Sequence, residues 1–166
     1  VFDPIKAAKD PNISIELAGE QDIATIKRRE NVSIVYIKMR EGVIDKLVLP
    51  VRGYGLWGTL YGYISLASDL NTINGIEFYE HKETPGLGAE VENEEWKNIW
   101  KGKILYNKDG GVELKIVKGA SSNKYEVDGL SGATLTSNGV SNMIEYWLGP
   151  EAYGPALKIV KETFNS

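Results

Sequence analysis

Apolar residues recur at every second position through residues 32–39 (VSIVYIKM) and again through 43–51 (VIDKLVLPV), with the polar Arg40-Glu41-Gly42 between them. A period of two sends alternate side chains to opposite faces of a strand, so these runs predict a β-hairpin. The alternation returns in TLYGYISLAS (59–68) and, after a turn at 69–71, in TINGIEFYEH (72–81). KILYN (103–107) and VELKIVKG (112–119) predict two more strands around NKDGG, whose Asp109-Gly110 step favours positive φ. A loop with Ser121, Ser122 and Asn123 leads on to YEVDGLSGAT.

Elsewhere the period becomes helical. Asn93 predicts an N-cap, with Glu94 and Glu95 at the positive end of the helix dipole, Trp96, Ile99 and Trp100 as the apolar stripe and Gly102 as the stop. Val140, Met143, Ile144, Trp147 and Leu148 fall at i, i+3, i+4, i+7 and i+8 of a second helix, ended by Gly149 and Pro150. A last helix over 155–164 turns Leu157, Val160 and Phe164 inward. Hairpin-like strands with helices inserted and appended predict a single α+β domain, a largely antiparallel sheet with packed helices.

Composition narrows the chemistry more than the fold. The 166 residues contain no cysteine, which excludes disulfides, thiolate nucleophiles and cysteine-held zinc or iron–sulfur clusters. Nineteen basic against 23 acidic residues give a net charge of −4, with the basic ones scattered, so nucleic acid is not an expected partner. The single histidine, His81, offers no metal cluster, none is expected, and it reads as a solvated strand-end residue. The longest uncharged run, residues 53–68, is too short and too broken by glycine to cross a membrane.

Three stretches carry candidate chemistry. In SGATLTSNGV (131–140), hydroxyls and small residues stand directly before a helix. Residues 134–138 offer several N-caps, while the same helix start has orphan amides that suit a phosphate; both readings stay open on these residues alone. Thr134 has no adjacent base to make it a nucleophile of its own, but a hydroxyl modified by another enzyme needs only exposure and small neighbours, which Gly132 and Ala133 supply. In HKETPGLGAE (81–90), the glycines flanking Leu87 let backbone approach a flat ligand, with Glu83 and Thr84 as polar contacts, unless the segment is only a strand-to-helix turn. In GYGLWGTLYGYI (53–64), Trp57 and the tyrosines either wall an aromatic pocket or, as is commoner, fill the core. GYGLWG has the spacing of a dinucleotide fingerprint, but strand-like residues follow it where a helix is required.

Taken in order, GYGLWGTLYGY, FYEHKETPGLGAE and VDGLSGATLTSNGV resemble the FMN-binding domain of the C subunit of the bacterial sodium-translocating NADH:quinone oxidoreductase, from about residue 48 to 148. The resemblance implies that Thr134, last of Ser131-Gly132-Ala133-Thr134, carries FMN through a phosphoester. It also implies a magnesium-dependent flavin transferase that uses FAD and recognises a motif containing Asp128. The flavin ring is expected near Trp57, Glu83, Thr84, Leu87 and Gly88, with Lys118 packed on it; no residue is expected to be catalytic. The sequence departs from the family at Tyr54, where a basic residue is expected between the glycines; Arg52 stands two positions earlier.

On this reading residues 1–30 are a lead-in that follows a removed membrane anchor, 32–148 the flavin-binding core and 150–166 the C-terminal helix. The implied function is an electron-relay subunit, not active alone, in an inner-membrane complex that oxidises NADH with quinone and exports sodium. The soluble domain is expected on the periplasmic side with the other subunits as partners. Two alternatives are the flavin-carrying G subunit of an Rnf-type complex and a non-redox binding or adhesion module.

Overall fold

The computed structural model describes residues 1–119 and 122–164, so Ser121 of the predicted loop and the end of the 150–166 segment lie outside the described residues. Helix α1 (Pro4–Lys9) starts on Asp3, whose carboxylate accepts the Ile5 and Lys6 amides. Strands β1 (Ser14–Glu16) and β2 (Arg28–Glu30) pair antiparallel. The predicted lead-in is therefore folded onto the core. Ala24 is buried and its carbonyl accepts the Tyr54 amide at 2.9 Å, and Glu30 meets Arg52 at 2.7 Å.

The main sheet is an antiparallel meander of β3 (Tyr36–Arg40), β4 (Val43–Tyr54), β5 (Thr59–Ala67) and β6 (Ile73–Glu80). The predicted hairpin is there, although β3 begins at Tyr36 and β4 runs through Gly53 to Tyr54. Its two-residue turn puts Glu41 at φ 51° and Gly42 at φ 82°, the left-handed conformation that matches strand twist. Along β5, Leu60, Gly62, Ile64 and Leu66 are buried, while Tyr61 and Tyr63 lie on the other face.

After β6 come a 3-10 helix, Gly88–Glu92, and α2 (Glu94–Trp100), capped by the Asn93 side chain on the Glu95 and Trp96 amides. KILYN, expected as a strand, forms only single bridges. Its amides are divided among partners that share no strand: Ile104 donates to Lys124, Leu105 to the Asn71 carbonyl and Tyr106 to the Asn71 side chain. VELKIVKG contracts to β7 (Lys115–Val117), which pairs in parallel with β8 (Glu126–Asp128).

Helix α3 (Thr134–Trp147) packs on β4, and α2 packs on β6 and β8. Val140, Met143, Ile144, Trp147 and Leu148 are all buried, as their spacing predicts. Helix α4 (Gly154–Phe164) docks through its first turns by Tyr153 and Leu157. Phe164, expected inward, is exposed, because α4 has by then run beyond the core that Leu157 reaches. The whole is the expected α+β arrangement, and its topology brings the β4–β5 turn, the exit of β6 and the start of α3 to one end of the sheet.

Candidate functional site

Glu83 is the centre of that end. Its side chain is buried, yet no ion pair to it occurs among the described residues. It accepts three neutral donors instead. Oε1 takes the Leu56 amide at 2.7 Å and the Thr136 hydroxyl at 2.7 Å, and Oε2 takes the Trp57 amide at 3.0 Å. Burial by itself would raise the carboxyl's pKa; the hydrogen bonds from Leu56, Thr136 and Trp57, with His81 nearby, outweigh it and hold the group below the ordinary glutamate range.

His81, expected as a solvated strand-end residue, is mostly buried. Its Nδ1 accepts the Glu83 amide at 3.1 Å and its Nε2 lies 3.2 Å from Glu92. The glycines here serve close approach. A Cβ on Gly55 would collide with the Glu83 carboxylate, one on Gly88 would stand 2.9 Å from Glu83 Cβ, and one on Gly139 would strike the Tyr54 carbonyl.

The hydroxyls of SGATLTS divide into two kinds. Thr136 and Ser137 are buried, the first donating to Glu83 and the second accepting the Leu130 amide at 3.0 Å. Ser131 and Thr134 are exposed. The expected N-caps at 134–138 are not caps, because α3 already begins at Thr134 and the cap position is Ala133, which has no side-chain acceptor. Among the described residues no side chain caps the first amides of α3, at the end where the helix dipole is positive. Gly132, at φ 71°, turns the chain into this start, and a Cβ on it would lie 3.2 Å from Leu87, so the 81–88 segment touches the 131–134 segment.

Four apolar side chains of the three segments that meet here are exposed. Trp57, expected more often as core, is 62% exposed and Leu135 is 58% exposed, with Leu56 and Leu87 also out in solvent. Thr84, expected as a polar contact, is exposed, and its carbonyl accepts the Leu87 and Ala89 amides. Asp128 ends β8, where its carbonyl accepts Trp96 Nε1 at 2.8 Å. Lys118, exposed, follows Val117, whose carbonyl accepts the Gly129 amide at 2.7 Å; its backbone therefore leaves the β7–β8 pair beside the segment leading to Ser131.

Sequence reasoning missed Leu56 and Leu135 as part of this rim. Leu135 was legible, since it falls between the stripe positions of α3 and so must point away from the core. Two clefts lie elsewhere. One of about 520 Å³ lies between α1 and residues 25–28, another of about 490 Å³ lies against α4, and Thr134 lines neither. A group held by a bond to an exposed hydroxyl, with helix-start amides for an anion and apolar side chains for a flat ring, fits the residues present.

Residues 55–149 match the family described as the FMN-binding domain. The chain is 52% identical over 157 residues to the C subunit of the Na(+)-translocating NADH-quinone reductase of Pseudomonas aeruginosa, covering 92% of this chain and 60% of that protein. It is 47% identical over 164 residues to the C subunit from Yersinia pestis, covering 97% and 62%. The chain thus spans about three fifths of the length of these curated relatives. The crystal structure of Shewanella oneidensis NqrC superposes with a TM-score of 0.91 at 38% identity, covering 97% of this chain and 75% of that one. The C subunit from Parabacteroides distasonis superposes with a TM-score of 0.65 at 33% identity, covering 87% and 76%.

Proposed function

The chain belongs to the FMN-binding domain family, and from that premise we propose that it carries FMN esterified to Thr134 and relays electrons within a sodium-translocating NADH:quinone reductase. The observation that carries this reading is the division of hydroxyls at the start of α3. Thr136 and Ser137 are engaged in the interior, and Thr134 is exposed as the first residue of a helix whose amides no side chain caps among the described residues. Ser131 is exposed too, but it precedes the helix and lacks those amides beside it. The names of the relatives favour the C-subunit reading over the G-subunit one and over a non-redox module.

Attachment balances as a phosphoryl transfer. The Thr134 oxygen bonds to the phosphorus of the FMN half of FAD, the pyrophosphate bond breaks, AMP leaves with the bridging oxygen and the hydroxyl proton passes to solvent. Magnesium and the transferase supply the activation that this chain lacks, and Asp128, four residues before Gly132, belongs to what the transferase reads. Once in place, the flavin supplies the redox chemistry. The chain's own residues hold the phosphate at the α3 amides and flank the ring with Trp57, Leu87 and the Glu83–Gly88 segment. Lys118 adds a positive charge beside the ring. We place the domain on the periplasmic side of an inner membrane, anchored through chain outside this sequence and in contact with the other subunits. Among the described residues no helix is long and apolar enough to cross a membrane.

The test is to produce the chain with and without a flavin transferase and to examine the denatured band for flavin fluorescence. Fluorescence only in the co-produced sample is expected. A dark band there overturns the reading.

A further inference from the structure

Three segments meet at the start of α3: the 55–58 turn, residues 81–88 and the first turn of the helix. No shared ladder joins them, and Glu83 makes hydrogen bonds to both of the others. We propose that Glu83 is a positioning residue, whose carboxylate clasps the Leu56–Trp57 turn to Thr136 and thereby fixes the exposed Trp57 ring against the flavin. The flavin part of this proposal rests on the reading above; the clasp on Trp57 does not.

The geometry selects a carboxylate. Three neutral donors converge on two oxygens, two of them consecutive backbone amides whose directions the chain fixes. A glutamine would turn an amide nitrogen, a donor, toward one of these N–H groups and leave it unpaired. Glu83 is itself held from behind, because its amide donates to His81 Nδ1, and His81 faces Glu92 on its other side. Thr136 in turn sits on α3 at a buried position two residues from Thr134, so the clasp ties the Trp57 turn to the helix that carries the attachment point. Trp57 has no burial of its own to fix it. At 62% exposure its backbone is held by the Glu83 bond, and the Gly55 amide closes the turn on the Gly58 carbonyl at 2.8 Å.

The first arm of the test needs no flavin. In the full chain labelled with 5-fluorotryptophan, Glu83→Gln should move the fluorine resonance of Trp57, assigned by its loss in Trp57→Ala, toward the free amino acid's position. The resonances of the buried Trp96, Trp100 and Trp147 should stay in place. A Trp57 resonance unmoved, or all four moved together, overturns the clasp. The second arm uses the flavinylated chain, in which Trp57 beside the ring quenches flavin emission. Glu83→Gln should raise emission several-fold at unchanged covalent flavin per chain, and should add nothing in the Trp57→Ala background, the coupling expected of residues that act as a unit. Emission equal to wild type, or gains that multiply in the double variant, overturns it.

If Glu83→Gln does not fold, Thr136→Val, which removes one donor and keeps the carboxylate, is read in both arms with the same outcomes. A wild-type chain that never acquires covalent flavin sinks the functional reading, and the first arm then still decides the clasp.

Discussion

Two buried glutamates in this molecule are held in opposite ways. Glu30 faces an arginine: its carboxylate lies 2.7 Å from Arg52, whose guanidinium also reaches the Arg28 carbonyl and lies 4.9 Å above the Trp147 ring. Glu83 faces no cation in the described structure and is held by two amides and a hydroxyl. The first joins β2 to β4 in the centre of the fold. The second joins loops at the rim where Thr134 emerges. The Glu30–Arg52 hydrogen bond carries opposite charges on its two sides, whereas every donor to Glu83 is neutral. The molecule has the charge pair between two strands and the neutral donors where three segments meet at the start of α3.

Breaking the pair should cost the most. Glu30→Ala leaves the Arg52 charge buried without its partner, and a loss of about 3–5 kcal/mol in urea unfolding is expected. Next comes Gly139→Ala, which drives a methyl into the Tyr54 carbonyl where α3 meets the turn. A loss of about 1–3 kcal/mol is expected, visible as a lower midpoint at unchanged slope.

The contribution of Glu83 should be smaller and legible in its pH dependence. Its folded pKa lies below the ordinary value, so the unfolded chain binds the proton first as pH falls. The stability it contributes is therefore full above about pH 4.5 and lost as pH drops through the folded pKa. The difference in unfolding free energy between wild type and Glu83→Gln should shrink over that window; a constant difference contradicts the assignment. Taking the difference removes Asp69 and Glu94, whose pKa values are also lowered by their own partners. Thr134→Val should change stability least, within about 0.5 kcal/mol, because the side chain is exposed. It should nevertheless abolish denaturant-resistant flavin altogether.

The sheet and the helices were legible because their signals repeat. Leu60, Ile64 and Leu66 alternate with outward residues, and the Val140-to-Leu148 stripe recurs at helical spacing. KILYN misled because it alternates like a strand while its amides go to Asn71 and Lys124, contacts far apart in sequence that no local pattern records. At the site, the hydroxyls of residues 134–138 read as caps because Ser and Thr before a helix usually are. Here the acceptors sit elsewhere, and only the fold reveals that Thr136 meets Glu83 across 53 positions of chain. A partial signal was present, since Thr136 and Ser137 stand four and three residues before Val140 and so share its buried face. The exposure of Trp57 had no such signal. An aromatic in a glycine-rich turn is read as core unless its surroundings are known.

Peptide mass spectrometry of the co-produced chain decides whether one hydroxyl of this cluster carries the flavin. The peptide spanning 125–158 should gain the mass of FMN less one water, with fragmentation placing it on Thr134. The same mass on Ser131, Thr136 or Ser137, or a peptide that remains unmodified after co-production, would contradict it.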